Sequence, residues 1–202
     1  MFAIIKRKAS GEGYFALPQG LSPFFISKSL FLSSHLHEGQ ELSEEEFLSL
    51  KEAQLVLDCR SQAMLYLARR EHSVFELKQK LIKKGYTERQ IQSALDPLLE
   101  QNLLSELRFA QALIASRQKK NPEGKSLLRQ RLVSKGVNRS DAEKALSEAF
   151  TEENLILAIQ KAYQIALRGN DSEVAQQKLQ KRGFSRSEIR FALERLEDDT
   201  CS

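Results

Sequence analysis

Three glycines, Gly85, Gly136 and Gly183, carry the same sequence around them, and that repetition leaves the chain few ways to fold. Eight residues before each stands Leu77, Leu128 or Ala175, and four before stands Leu81, Leu132 or Leu179. A base always precedes the glycine: Lys84, Lys135 or Arg182. A bulky apolar residue follows, Tyr86, Val137 or Phe184, and then Thr87, Asn138 or Ser185. Nine and ten residues beyond the glycines come Ala94-Leu95, Ala145-Leu146 and Ala192-Leu193.

Each column has a local cause. Apolar residues spaced by four share one face of a helix, and a base at its end complements the dipole. Glycine at the C′ position takes the left-handed conformation that ends a helix, and the apolar residue after it packs back on the last turn. Thr87, Asn138 and Ser185 are N-cap residues followed three positions later by Gln90, Asp141 and Glu188, the spacing that starts a new helix. The unit is helix, tight turn, helix. Its periods of 51 and 47 residues leave room for a third helix, as in stacked helical repeats. The fold class expected is mainly α, in three tandem three-helix modules over 51–102, 103–150 and 151–202, after a β-prone arm with a short helix over 1–50.

Within the arm, Phe2 to Ile5, Tyr14 to Leu17 and Phe24 to Ser27 are short β-prone runs separated by Gly11, Gly13, Pro18, Gly20 and Pro23, which predicts a small antiparallel meander. A short helix is expected over 30–36, and Ser43 with Glu46 is a capping box that starts another through Phe47 and Leu50. In the first module a long helix from Lys51 to about Arg70 turns Leu55, Cys59, Ala63, Tyr66 and Leu67 to one side. Ser73 caps the next, which buries Val74, Leu77 and Leu81, and Pro97 predicts a kink or restart near Asp96 in the third. In the second module Ser105 starts a helix with Phe109, Ala110, Leu113 and Ile114 inward; Leu127, Leu128, Leu132 and Val133, then Ala142, Ala145, Leu146 and Ala149, follow. The third repeats this with Ile159, Ala162, Leu179, Ile189, Ala192, Leu193 and Leu196, and an acidic tail from Glu197 is expected to fray.

Catalysis finds little support. His35 and His37 lack a third metal ligand at a recognisable spacing and read as exposed loop residues. Gly11-Glu12-Gly13 is no phosphate loop, and Cys59 reads as a small core residue. No enzyme, cofactor or metal is expected. With no apolar run of membrane-spanning length and the order Phe2 to Ile5 before Lys6, Arg7 and Lys8 the reverse of a signal peptide, the cytoplasm is the expected location.

Charge is unevenly placed. Residues 1–59 hold five bases and eight acids, 60–135 sixteen and seven, and 136–202 ten and twelve, so the middle carries net +9. Such a region suits an anionic partner, nucleic acid or an acidic protein surface, although a solvated helical face is the other reading. Arg117, Lys119, Lys120, Lys125, Arg129, Arg131 and Lys135 surround the loop Asn121-Pro122-Glu123-Gly124, while Lys84 and Lys135 are accounted for as dipole complements. No aromatic platform for unpaired bases accompanies them.

The ordered set Arg70-Glu71-His72-Ser73, Glu76-Leu77, Lys80-Leu81, Lys84-Gly85, Leu103 to Ala110, Arg117, Gly124, Leu132 and Lys135-Gly136 resembles the RecX family of recombination regulators over about residues 60–150. The chain departs at Ser105-Glu106, where the family commonly has Asn-Asp; the carboxylate is kept, and a capping role is expected. It also has a longer basic stretch before Gly124. The resemblance implies an elongated, curved array that binds the RecA recombinase along the groove of its filament on single-stranded DNA and reduces ATPase, strand exchange and filament growth. The contact residues expected are Arg69, Arg70, Arg108, Arg117, Lys119, Lys120, Lys125 and Arg129. Arg108, which matches the family motif, reads equally well as a structural ion-pair residue. The chain is expected to act as a monomer. The competing readings are a direct DNA-binding protein of tandem helix-turn-helix-like modules and a helical scaffold for another protein.

Overall fold

The β-prone runs at the amino terminus pair as their alternation dictates. In this computed structural model, which describes residues 2–9 and 11–200 and side chains through residue 195, β1 (Ala3–Arg7) lies antiparallel to β2 (Tyr14–Pro18), with Ile5 opposite Ala16. β3 (Phe24–Ile26) pairs with the far edge of β2. A fourth strand, β4 (Glu41–Leu42), adds to the open edge of β1 and gives the order β3-β2-β1-β4. Its two residues are too short to show a period. Ala3, Ile5, Ala16, Ile26 and Leu42 form one apolar face, covered by Leu30, Phe31, Phe47 and Leu50.

Leu30 and Phe31 belong to α1 (Lys28–Ser33), which stops earlier than expected. His35 takes a positive φ of 52°, and the Leu36 and His35 amides bond back to the Phe31 and Leu32 carbonyls, so a non-glycine residue closes the helix. Phe47 and Leu50 belong to α2 (Glu44–Leu67), which starts at the Ser43–Glu46 capping box. The helices expected before and after residue 50 are one. No glycine or proline occurs from Glu44 to Leu67, so nothing breaks the helix at residue 50.

Two compact units result, one of residues 1–68 and 78–101, the other of 69–77 and 102–202. α3 (Val74–Ile82) contributes its first turn to the second unit and the remainder to the first. In the first unit α2 lies against α4 (Glu88–Glu100), and Cys59, Ala63, Leu81, Ile91, Ala94, Leu95 and Leu98 are buried. α4 runs through Pro97 without restarting at Asp96, its buried residues continuing on both sides of the proline. Burial pushes the Cys59 thiol up to about 11. Iodoacetamide at pH 8 is therefore expected to leave Cys59 unmodified in the folded chain and to alkylate it in denaturant, as mass spectrometry of the peptides would show.

The second unit contains α5 (Glu106–Lys120), α6 (Lys125–Ser134), α7 (Arg139–Ala149), α8 (Glu152–Leu167), α9 (Ser172–Lys181) and α10 (Arg186–Thr200). These helices share one core, in which Phe109, Ile114, Leu128, Leu132 and Leu146 join Ile159, Leu179, Phe184, Ile189 and Ala192. α10 extends to Thr200, past the fraying expected from Glu197, while the Leu196 side chain lies outside the described residues. Val133, expected inside, is 62% exposed because it falls one residue beyond the buried face that ends at Leu132.

The turn repeats as the sequence requires. Gly85, Gly136 and Gly183 have φ of 93°, 76° and 88°. At each, the following residue's amide (Tyr86, Val137, Phe184) returns to the carbonyl of Leu81, Leu132 or Leu179. A further repetition joins residues far apart in sequence. Ser73 and Gly124 each lie twelve residues before a module glycine. The Ser73 hydroxyl donates to the Lys135 carbonyl at 2.7 Å, and the Gly124 amide donates to the Arg182 carbonyl at 2.8 Å. Thus the start of a module's second helix abuts the end of the following module's second helix. Both joints lie in the second unit.

Candidate partner-binding site

The basic end of α5 is placed by its surroundings. Ser105 caps the helix through the Arg108 amide at 3.3 Å, and Arg117, Lys119 and Lys120 crowd its last turn, where they complement the helix dipole. The loop after it is tied at several points. Gln118 donates to the Glu123 carbonyl at 2.8 Å, and Arg131 grips the Glu123 carboxylate with two bonds of 2.6 and 2.9 Å. Asn121 accepts from Arg182, next to the bond from Gly124 to the Arg182 carbonyl. This rigid loop fixes the position of the cations before it.

Beside α5 opens a groove of about 570 Å³ with Phe109, Ala112 and Leu113 along its apolar side. Arg70, Arg117, Lys120 and Lys135 bring four positive charges to it, and Glu71 and Glu76 two negative ones. Glu76 is the centre of the cluster. Its carboxylate meets Arg70 at 3.0 Å, Lys135 at 2.9 Å and His72 Nδ1 at 3.1 Å. Burial alone would raise its pKa, but hydrogen bonds from Lys135, His72 and Arg70, with the charge of Arg70, bring the carboxyl down to about 2.

The expected contact residues divide on this geometry. Arg70, Arg117 and Lys120 meet in the groove. Arg70 is engaged by Glu76 and by the Glu71 carbonyl, whereas Arg117 reaches only 4.0 Å from Glu123 and Lys120 has no ion pair among the described residues. Arg108 is spent within the unit, on the Glu71 carboxylate at 2.8 Å, Asn102 at 2.9 Å and the Leu103 carbonyl at 3.2 Å. Arg129 is paired with Glu143 by two bonds, and the Lys125 ammonium sits 5.5 Å from the centre of the Phe150 ring. Lys119 and Arg69 are exposed and do not line the groove. Lys119 also accepts the Lys161 ammonium on its carbonyl.

Lys135 reads in the sequence as a dipole complement, and Glu76 stands three residues after the Ser73 cap. One signal in the repeat marks Glu76: nine residues before the module glycine, the other two modules have Leu127 and Val174. A carboxylate in an otherwise apolar column needs partners. Glu106, the retained carboxylate of the Ser105-Glu106 pair, caps a helix other than its own, accepting the Val74 amide at the start of α3 at 2.8 Å. Among the described residues no group of histidines, cysteines and carboxylates is placed to hold a metal ion, and no helix is long and apolar enough to cross a membrane.

Comparison with known proteins matches the same segments. A family model of the first three-helix domain of RecX covers residues 59–98, and one of the second three-helix domain covers 105–146. Regulatory protein RecX of Vibrio parahaemolyticus is 35% identical over 147 residues, 71% of this chain and 94% of its own. That of Chlorobium limicola is 33% identical over 144 residues, 69% and 89% of the two chains, and that of Clostridioides difficile 28% over 181 residues, 86% and 85%. A crystal structure of regulatory protein RecX superposes with a TM-score of 0.78 over 95% of this chain and 98% of the other, at 23% identity, and shares its fold. RecX from Lactobacillus salivarius does so with a TM-score of 0.59 over 72% and 98%, at 19% identity.

Proposed function

Because the chain belongs to the RecX family of regulatory proteins, we propose that it binds the RecA recombinase filament on single-stranded DNA and restrains it. In this reading it lowers ATP hydrolysis, strand exchange and filament extension, and catalyses no reaction of its own. It acts in the cytoplasm as a monomer, in recombination, repair and the SOS response. The observation that carries the reading is the end of α5, where Arg117, Lys119 and Lys120 stay exposed beside a loop that is held rigid. A fixed, exposed cationic surface is pre-organised to meet an anionic one.

Of the eight contact residues, Arg69, Arg117, Lys119 and Lys120 present their charge to a partner in this proposal, and Arg70 completes the groove. Arg108 and Arg129 act through the segments they hold, and Lys125 through its seat on Phe150. Direct binding of DNA is the second reading, favoured by the net +9 of residues 60–135. Salt separates the two, because phosphate contacts on single strands lose affinity with a log slope of about −0.7 per charge neutralised.

ATP hydrolysis by the cognate RecA on single-stranded DNA, titrated with the native chain and with R117A/K119A/K120A, tests the proposal. Substoichiometric inhibition by the native chain, weakened about tenfold in the folded variant, is the expected result. No inhibition by either chain, with retardation of free DNA by the native one, would replace the recombinase reading by the DNA reading.

A further inference from the structure

We propose that the groove beside α5 takes a single carboxylate with a neighbouring apolar side chain from a protein partner, and not a run of phosphodiesters. This rests on the reading that the basic surface of the second unit is its partner site. The groove's charges are mostly already matched: Arg70 and Lys135 are held by Glu76 at 3.0 and 2.9 Å. What remains for a ligand is Lys120, which has no ion pair among the described residues, and Arg117, half-exposed and 4.0 Å from Glu123. An arginine and a lysine at one helix end satisfy one carboxylate with charge-assisted hydrogen bonds.

The lining agrees. Ala112 and Leu113 give the groove an apolar side that a phosphodiester chain would leave without a partner, and the four cations and two carboxylates of its lining leave a net charge of only +2. Unstacked bases gain from aromatic faces. The only aromatic residue lining the groove, Phe109, is 3% exposed and offers none. A volume of about 570 Å³ exceeds one carboxylate and admits the side chain next to it. An acidic residue beside a leucine, isoleucine or phenylalanine fits both halves of the site.

The experiment uses the full chain and three fluorescein-labelled probes in anisotropy titrations: a peptide of alternating Glu and Leu, one of alternating Glu and Ser, and a thymidine oligonucleotide. Two variants accompany the native chain, R117E/K120E and S116W, the second filling the groove without changing its charge, with melting curves to show that both are folded. The native chain is expected to bind the Glu-Leu peptide about tenfold more tightly than the Glu-Ser peptide. Both variants lose that preference, and S116W binds the oligonucleotide as the native chain does. Equal binding of the two peptides, or a Glu-Leu preference that survives S116W, would overturn the assignment, as would an oligonucleotide affinity lowered by S116W. Inhibition of RecA by the native chain, measured alongside, keeps the two proposals apart: inhibition without peptide preference removes the groove's ligand and leaves the regulatory reading, and peptide preference without inhibition does the reverse.

Discussion

Replacing Gly124 by alanine is expected to destabilise the second unit by about 2–4 kcal/mol. The new Cβ would lie 2.1 Å from the Gly183 carbonyl oxygen, 2.3 Å from its carbon and 2.5 Å from the Phe184 nitrogen. All three are backbone atoms, so no side chain can rotate away. Separation would stretch the bond from the Gly124 amide to the Arg182 carbonyl and disturb the left-handed turn at Gly183, whose own missing Cβ leaves room for the Leu127 backbone. Overpacking costs about 1–3 kcal/mol and the lost hydrogen bond about 1 more. For a chain of this size the melting temperature should fall by about 4–16 °C. Gly85→Ala is the control: nothing lies within 4 Å of its Cβ position, so only the strain of its φ of 93° is added, about 1–2 kcal/mol. Equal melting temperatures for the two variants would mean that the close approach at Gly124 does not hold the unit together.

Gly124 also shows where the sequence stops being legible. The turn glycines and caps were readable because their causes lie within a few residues: Thr87 and Gln90 form their capping box, and Gly85, Gly136 and Gly183 close their helices as their neighbours require. Gly124 reads locally as the end of an Asn-Pro-Glu-Gly loop, yet what demands glycine there is a backbone 59 residues away. The Ser73 to Lys135 bond is of the same kind, and β4 has two residues whose partner is β1. The site follows the same division. The clustering of Arg117, Lys119 and Lys120 at one helix end was legible, since they are neighbours in sequence. Which cations are already spent was not, because Glu76 and Lys135 come together across 59 residues and Arg108 and Glu71 across 37. A count of bases therefore overstates the charge available to a partner.

Glu76→Gln tests that statement on both stability and binding. Glutamine keeps the shape and one acceptor but removes the charge that holds Arg70 and Lys135. In the folded chain the carboxyl titrates at about 2, and in the unfolded chain near its ordinary value of about 4.3. A carboxyl depressed by folding contributes stability that is complete above its unfolded pKa and disappears as the pH falls through its folded pKa. The variant should therefore be less stable by about 2 kcal/mol from pH 6 to 8, after allowance for solvent screening of the half-exposed Arg70 and Lys135, and the gap should close between about pH 4 and 2. Denaturant unfolding across that range measures it, and a gap of the same size at pH 2 would assign the loss to shape and not to charge. Binding should move the other way. With the carboxylate gone, Arg70 and Lys135 become available in the groove, which gains net charge, and the thymidine oligonucleotide should bind the variant more tightly with a salt dependence steeper by up to about 1.4 in log slope. Both peptides should also bind the variant more tightly and by the same factor, so the preference for Glu-Leu over Glu-Ser should persist, because the apolar side of the groove is unchanged. Glu76 then has two effects with one cause: by neutralising the cations it holds, it leaves Arg117 and Lys120 to set how many negative charges the groove will accept.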